Sequence, residues 1–151
     1  MRVKVVIDTN IIFSAILNPG SRMGKIIINS KHHFQFYTCD FLRTELLKHR
    51  NKILKYLKRS PQELDELEFL LTKNIIFVNE NLLPQKTIMS SEKALVGIDI
   101  NDTPFVALTK HLKGKLWTGD KELISGLQST NFIDIISTSQ LYDLLDKLER
   151  N

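Results

Sequence analysis

The chain has 151 residues, 42% hydrophobic and 25% charged, with a net charge of +4 and a pI near 9.2. Those values are those of an ordinary globular chain, not a disordered or fibrous one, and allow one domain over 1–151 with a buried core. No apolar run approaches the roughly 20 residues that span a bilayer, and the single cysteine, Cys39, excludes a disulfide framework and a Cys-based metal site. A reducing, cytoplasmic setting is expected.

Val3 to Ile7 is apolar apart from Lys4, the pattern of a strand covered on both faces in a parallel sheet. The chain turns acidic at Asp8, too soon for a secretory signal. Ile11, Ile12, Ala15 and Ile16 recur at helical spacing until Asn18-Pro19-Gly20. Ser21 is placed to cap a second helix through Asn29, and Phe34 to Thr38 reads as the second strand. Asp40 is expected to cap a long helical pattern with Leu42, Leu46, Ile53 and Leu57 on one side. Glu45, Lys48, Lys52, Lys55 and Arg59 form a stripe on another side, which His49-Arg50-Asn51 could break in two. Ser60-Pro61-Gln62-Glu63 is a capping box with proline at the first helical position, opening a helix through Leu64, Leu67, Leu70 and Leu71.

Ile75 to Val78 reads as the third strand, and residues 79–90 as an extended connection containing Pro84, followed by a short helix over Ser91 to Val96. Asp102-Thr103-Pro104 is a helix entry, with Phe105, Val106, Leu108 and Leu112 behind it and Gly114 at the end. Lys115 to Thr118 reads as the fourth strand, and Gly119 turns the chain so that Asp120 falls just past its carboxyl end. A helix over Lys121 to Gln128, a strand over Phe132 to Ile136 and a last helix from Thr138 or Ser139 through Leu148 complete the pattern. Strands alternating with helices predict a doubly wound, mostly parallel α/β sheet.

Ligands bind at the carboxyl edge of such sheets. The acids that reach that edge, or that could turn toward it, are Asp8, Glu45, Asp99, Asp102 and Asp120. Carboxylates gathered in one cleft repel, so one of them protonates or the group holds a cation. Oxygen-only ligands suit Mg²⁺ or Mn²⁺, which can activate water and neutralise charge on a scissile phosphate. Each acid also has a plainer reading: Asp8 and Asp102 as helix N-caps, Asp120 as a turn acid, Glu45 as a surface partner of Lys48 or His49, Asp99 as a loop acid. One metal cleft accounts for the set together. His32, His33, His49 and His111 lack zinc-ligand spacing, Trp117 reads as core, and Phe34, Phe36 and Tyr37 as strand packing. The Lys48, Lys52, Lys55 and Arg59 stripe is either a solvated face or a track leading phosphates to the acids. No Gly-rich phosphate loop is present.

Four segments, taken in order, resemble the PIN domain family, which includes VapC-like toxins of type II toxin–antitoxin pairs and RNA-processing nucleases. They are Val5 to Asn10, Leu42 to Leu46, Asp102 to Leu108, and Leu116 to Lys121. The resemblance implies a three-layer α/β/α fold with a parallel sheet of about five strands in the order 3-2-1-4-5. It implies that Asp8, Glu45, Asp102 and Asp120 are the catalytic, metal-binding acids, with Asn10 and Thr118 beside them. The family often carries a further acid where this chain has Asn101; Asp99 is the nearest substitute. The implied activity is Mg²⁺- or Mn²⁺-dependent hydrolysis of single-stranded RNA, by a homodimer held off by an antitoxin. The alternatives are a PIN-like RNA-binding module without useful catalysis, an RNA-processing nuclease outside toxin–antitoxin pairs, and a doubly wound domain binding a nucleotide or a protein.

Overall fold

Alternation in the central strand decides the architecture. In β1 (Val3–Ile7), Val5 and Ile7 join one hydrophobic cluster and Val6 the other, and all three are fully buried. A strand apolar on both faces requires cover on both. The computed structural model describes residues 2–151 and supplies that cover. β1 lies at the middle of a five-stranded sheet with β2 (Phe34–Cys39), β3 (Ile75–Val78), β4 (Lys115–Trp117) and β5 (Asp134–Ile136). Every pairing is parallel and the order is β3-β2-β1-β4-β5, as the resemblance implied.

One face is covered by α1 (Thr9–Leu17), α2 (Arg22–Asn29), α3 (Phe41–Lys48), α4 (Arg50–Leu57), α5 (Pro61–Thr72) and α9 (Thr138–Arg150). The other is covered by α6 (Gln85–Ala94), α7 (Thr103–Leu112) and α8 (Lys121–Gln128). Trp117 is core, as its strand pattern suggested. It is fully buried beside Phe36, with ring centroids 6.3 Å apart, and its Nε1 donates to Thr138 Oγ1 at 2.9 Å. Burying a large aromatic with its polar atom satisfied contributes several kcal/mol, about 3–5 by truncation to Ala.

Three local expectations are corrected. Residues 79–90 are not extended: a 3-10 turn spans Glu80–Leu82, and α6 begins directly after Pro84 and ends at Ala94, before the expected end at Val96. Proline is tolerated there because a helix start needs no N–H from it. Asp40 makes no side-chain cap; its backbone is already helical, so its carboxylate is turned away from the first amides. The helical pattern after Asp40 does break in two at His49 (φ −102°, ψ 6°), where α3 and α4 meet, as the His49-Arg50-Asn51 run allowed. Ser137, one residue earlier than expected, caps α9 in a capping box with Gln140.

Candidate metal centre

The strand order changes direction at β1. β2 and β3 extend to one side and β4 and β5 to the other, and past the carboxyl ends of strands at such a reversal, here β1 and β4, open α/β sheets bind their ligands. The register sets Ile7 beside Trp117, and the Asp8 amide donates to the Trp117 carbonyl at 3.3 Å. The residues that follow these two strands, Asp8 and Thr118, are therefore neighbours.

Asp8 is only 4% exposed. Its Oδ1 accepts the Ile11 amide at 3.1 Å and caps α1, so the helix-cap reading holds for this residue. Burial pushes its carboxyl up to about 6. The Thr118 hydroxyl and the Ile11 and Asn10 amides pull it down, and the charge of Asp120 adds to the rise. Thr118 is fully buried and its Oγ1 accepts the Asp120 amide at 3.1 Å. One hydroxyl thus ties the two acids together. Asp120 Oδ1 accepts the Glu122 and Leu123 amides at 3.0 and 3.3 Å, capping α8.

Asp102 differs. It precedes α7, with Pro104 in the first turn, but its side chain makes no cap hydrogen bond. Its Oδ2 is buried with no hydrogen-bond partner. Burial pushes its carboxyl up to about 7, helped by the charges of Asp99, Asp8 and Asp120 in that order. A buried carboxylate oxygen without a donor costs free energy that a structural role does not explain. Asp99 stands nearby, its Oδ1 accepting the Asn101 amide at 2.9 Å to start the 3-10 turn Ile100–Asp102.

The structure thus brings Asp8, Asp102 and Asp120 into mutual electrostatic range, with Asp99 beside Asp102. Glu45 is not among the charges that act on Asp8 or Asp102. Its Oε2 lies 3.4 Å from His49 Nε2, and the His49 ring meets Phe13 edge-on at 5.5 Å. Asn10 is exposed, and its amide, not its side chain, bears on Asp8. The basic stripe does not lie on one helix. Lys48 ends α3, Lys52 and Lys55 sit on α4, and Arg59 lies past the end of α4 and pairs with Glu63 at 3.6 Å. Lys52 also borders an apolar cavity of about 290 Å³ with Phe13, Leu17 and Tyr56. Thr9 was not singled out from the sequence, yet its hydroxyl is buried and unpartnered next to Asp8; its place inside the Asp8-Thr9-Asn10 segment was the available signal.

Among the described residues, no three of His, Cys, Asp or Glu stand close enough to share one ion. The chemistry of the set nevertheless fits a hard divalent cation. Three oxygen donors repel one another, two of them bind protons far above the usual carboxylate range, and one oxygen has no donor.

A profile of the PIN domain matches residues 6–148. An uncharacterized protein of Methanocaldococcus jannaschii is 31% identical over 147 residues, covering 89% of this chain and 82% of its own length. Among solved structures, VapBC2 from Rickettsia felis, bound to a DNA fragment from their promoter, superposes with a TM-score of 0.69 at 11% identity. That match covers 89% of this chain and 98% of the other. PAE2754 from Pyrobaculum aerophilum superposes with a TM-score of 0.63 at 15% identity, over all of both chains. At such identities the two superpositions speak for the fold. With the family profile spanning nearly the whole sequence, the chain belongs to the PIN domain family.

Proposed function

We propose that this protein is a divalent-metal-dependent endoribonuclease that hydrolyses phosphodiester bonds of single-stranded RNA, and that it is the toxin of a type II toxin–antitoxin pair. Family membership supports a nuclease. The observation that carries the reading is Asp102: a carboxyl raised to about 7, with a buried unpartnered oxygen, facing the charges of Asp8 and Asp120. Asp8, Asp102 and Asp120 would hold Mg²⁺ or Mn²⁺, with Glu45 as a fourth acid and Asp99 supporting Asp102. When bound, the ion supplies an activated water and neutralises charge on the phosphate.

The chain's own residues set the frame. Thr118 orients Asp8 and fixes the turn into Asp120. The first amides of α8 hold Asp120 by one oxygen. The first turn of α1 holds Asp8 in the same way. A homodimer and an antitoxin partner belong to this proposal by family likeness.

The test is cleavage of a labelled single-stranded RNA with Mg²⁺, with Mn²⁺ and with chelator. Wild type should cut with metal only, and Asp102→Asn should not cut. Cleavage by Asp102→Asn at the wild-type rate would end this reading. Glu45 resting on His49 favours a second reading, an RNA-binding module without catalysis. RNA bound but never cut, with either metal, would select it.

A further inference from the structure

The sheet is electrically lopsided. Acids gather past its carboxyl edge, whereas the amino edge carries cations. Two adjoining depressions there, of about 510 and 230 Å³, share Lys113, Gly114 and Asp134. Five cations line them: Arg2, Lys4, Lys110, Lys113 and Lys115. Asp134 is the one acid in the lining, so this edge carries +4, the net charge of the whole chain. The remainder of the molecule has no net charge.

The backbone makes this convergence. Lys115 pairs in register with Val5 on one side and Asp134 on the other. Gly114 packs so closely on β1 that a Cβ there would stand 2.8 Å from the Lys4 carbonyl oxygen. Lys4 and Lys113 are thereby brought side by side. Three of the cations are anchored. Lys110 Nζ donates to the Phe132 carbonyl at 3.2 Å, Lys115 Nζ lies 4.0 Å from Asp134, and Arg2 Nη1 donates to the Lys31 carbonyl at 3.3 Å. Arg2, Lys4 and Lys113 are exposed and, among the described residues, have no acid at ion-pair distance. Held cations of one sign in a concave surface focus a field that attracts polyanions.

We propose that the amino edge of the sheet is a second nucleic-acid site, which binds the phosphodiester backbone of single-stranded RNA outside the acid cleft. It rests on the proposed function only for the identity of the polyanion. Lys4 and Asp8 lie about 13 Å apart along β1 at ~3.3 Å per residue. A strand held at Lys4 is therefore a segment of substrate distinct from the one at the acids. Without a divalent cation the cleft repels phosphate and the amino edge attracts it, so RNA binding in chelator reports this site.

The experiment measures binding of a labelled 20-nucleotide RNA in chelator over a range of monovalent salt. Wild type is compared with Arg2→Gln/Lys4→Gln/Lys113→Asn; Asn is used because Lys113 has φ 57°, which Asn tolerates. Three lost phosphate contacts should reduce the salt slope by about 2 and weaken binding on the order of 10²-fold at 50 mM salt. DNA of the same sequence should show the same slope, since the contacts are to phosphate. The comparison protein is Lys48→Gln/Lys52→Gln/Lys55→Gln, which should keep the wild-type slope. An unchanged slope in the first variant, a fall in the second alone, or no RNA binding by wild type in chelator would each overturn the proposal. RNA bound through these three cations but never cut with metal would leave this site standing and remove the nuclease reading instead.

Discussion

Asp102→Asn should stabilise the metal-free protein at pH 8 and change little near pH 4. The folded carboxyl of Asp102 titrates at about 7 against 3.8 for an ordinary one, so the native state keeps a proton that the unfolded chain loses in that interval. Native stability therefore falls as pH rises from about 4 to about 7, and the loss is complete above that window. The interval converts to at most about 4 kcal/mol, an upper bound that solvent screening of this partly exposed carboxyl reduces. Asp8 and Asp120 share the same repulsion, and the amide leaves a buried polar atom still unpartnered at a cost of about 1–3 kcal/mol. A net gain of about 2 kcal/mol at pH 8 is the expected remainder, or about 4–8 °C in Tm for a chain of this length. Urea unfolding and thermal melts in chelator at pH 4.5, 6 and 8 measure it. Stability curves of wild type and variant that run parallel in pH, or a variant less stable at pH 8, would refute the reasoning.

Other outcomes follow from the same geometry. Asp8→Asn and Asp120→Asn should each abolish metal-dependent RNA cleavage, read on a gel against wild type, with circular dichroism unchanged. Excess Mg²⁺ at about ten times its Kd should stabilise wild type by about 1.4 kcal/mol in melts at matched ionic strength; Asp120→Asn should show a smaller rise. Gly24→Ala should destabilise by 2 kcal/mol or more in urea unfolding, because its Cβ would stand 2.2 Å from the Pro19 carbonyl oxygen, a backbone atom. His49→Phe keeps the edge-on packing against Phe13 and releases Glu45. Since a partly exposed polar contact of this kind is worth at most about 1 kcal/mol, Mg²⁺ binding by calorimetry should tighten by no more than about fivefold.

The sheet was legible because β1 and β4 are written as short apolar runs followed at once by Asp or by Thr-Gly-Asp. A strand buried on both faces and a polar carboxyl end leave few alternatives. The order of the strands came through the family likeness, since periodicity does not say which strands neighbour. Residues 79–90 misled because Pro84 reads as a breaker, whereas it precedes the first turn of α6 and suits a helix start. Asp102 carried two meanings in sequence, cap and ligand. Only its backbone angles, already helical, take the carboxylate off the helix and leave it free. Asp8 and Asp120 do cap, so capping and a role in the cleft are compatible. The contact of Glu45 with His49 was legible, since the two stand four residues apart and the His49 amide still bonds the Glu45 carbonyl in helical fashion.

Proton release on Mg²⁺ binding tests most directly whether these acids form one metal centre. At pH 6 the Asp102 carboxyl is mostly protonated and that of Asp8 about half so. A cation binding among them must displace those protons. Calorimetry at pH 6 in buffers of different ionisation enthalpy should report release of about one proton per ion, falling toward zero by pH 8.5. Asp102→Asn should lose most of that release. Mg²⁺ binding without proton release at pH 6, or release unaffected by Asp102→Asn, would contradict a metal centre built on these carboxylates.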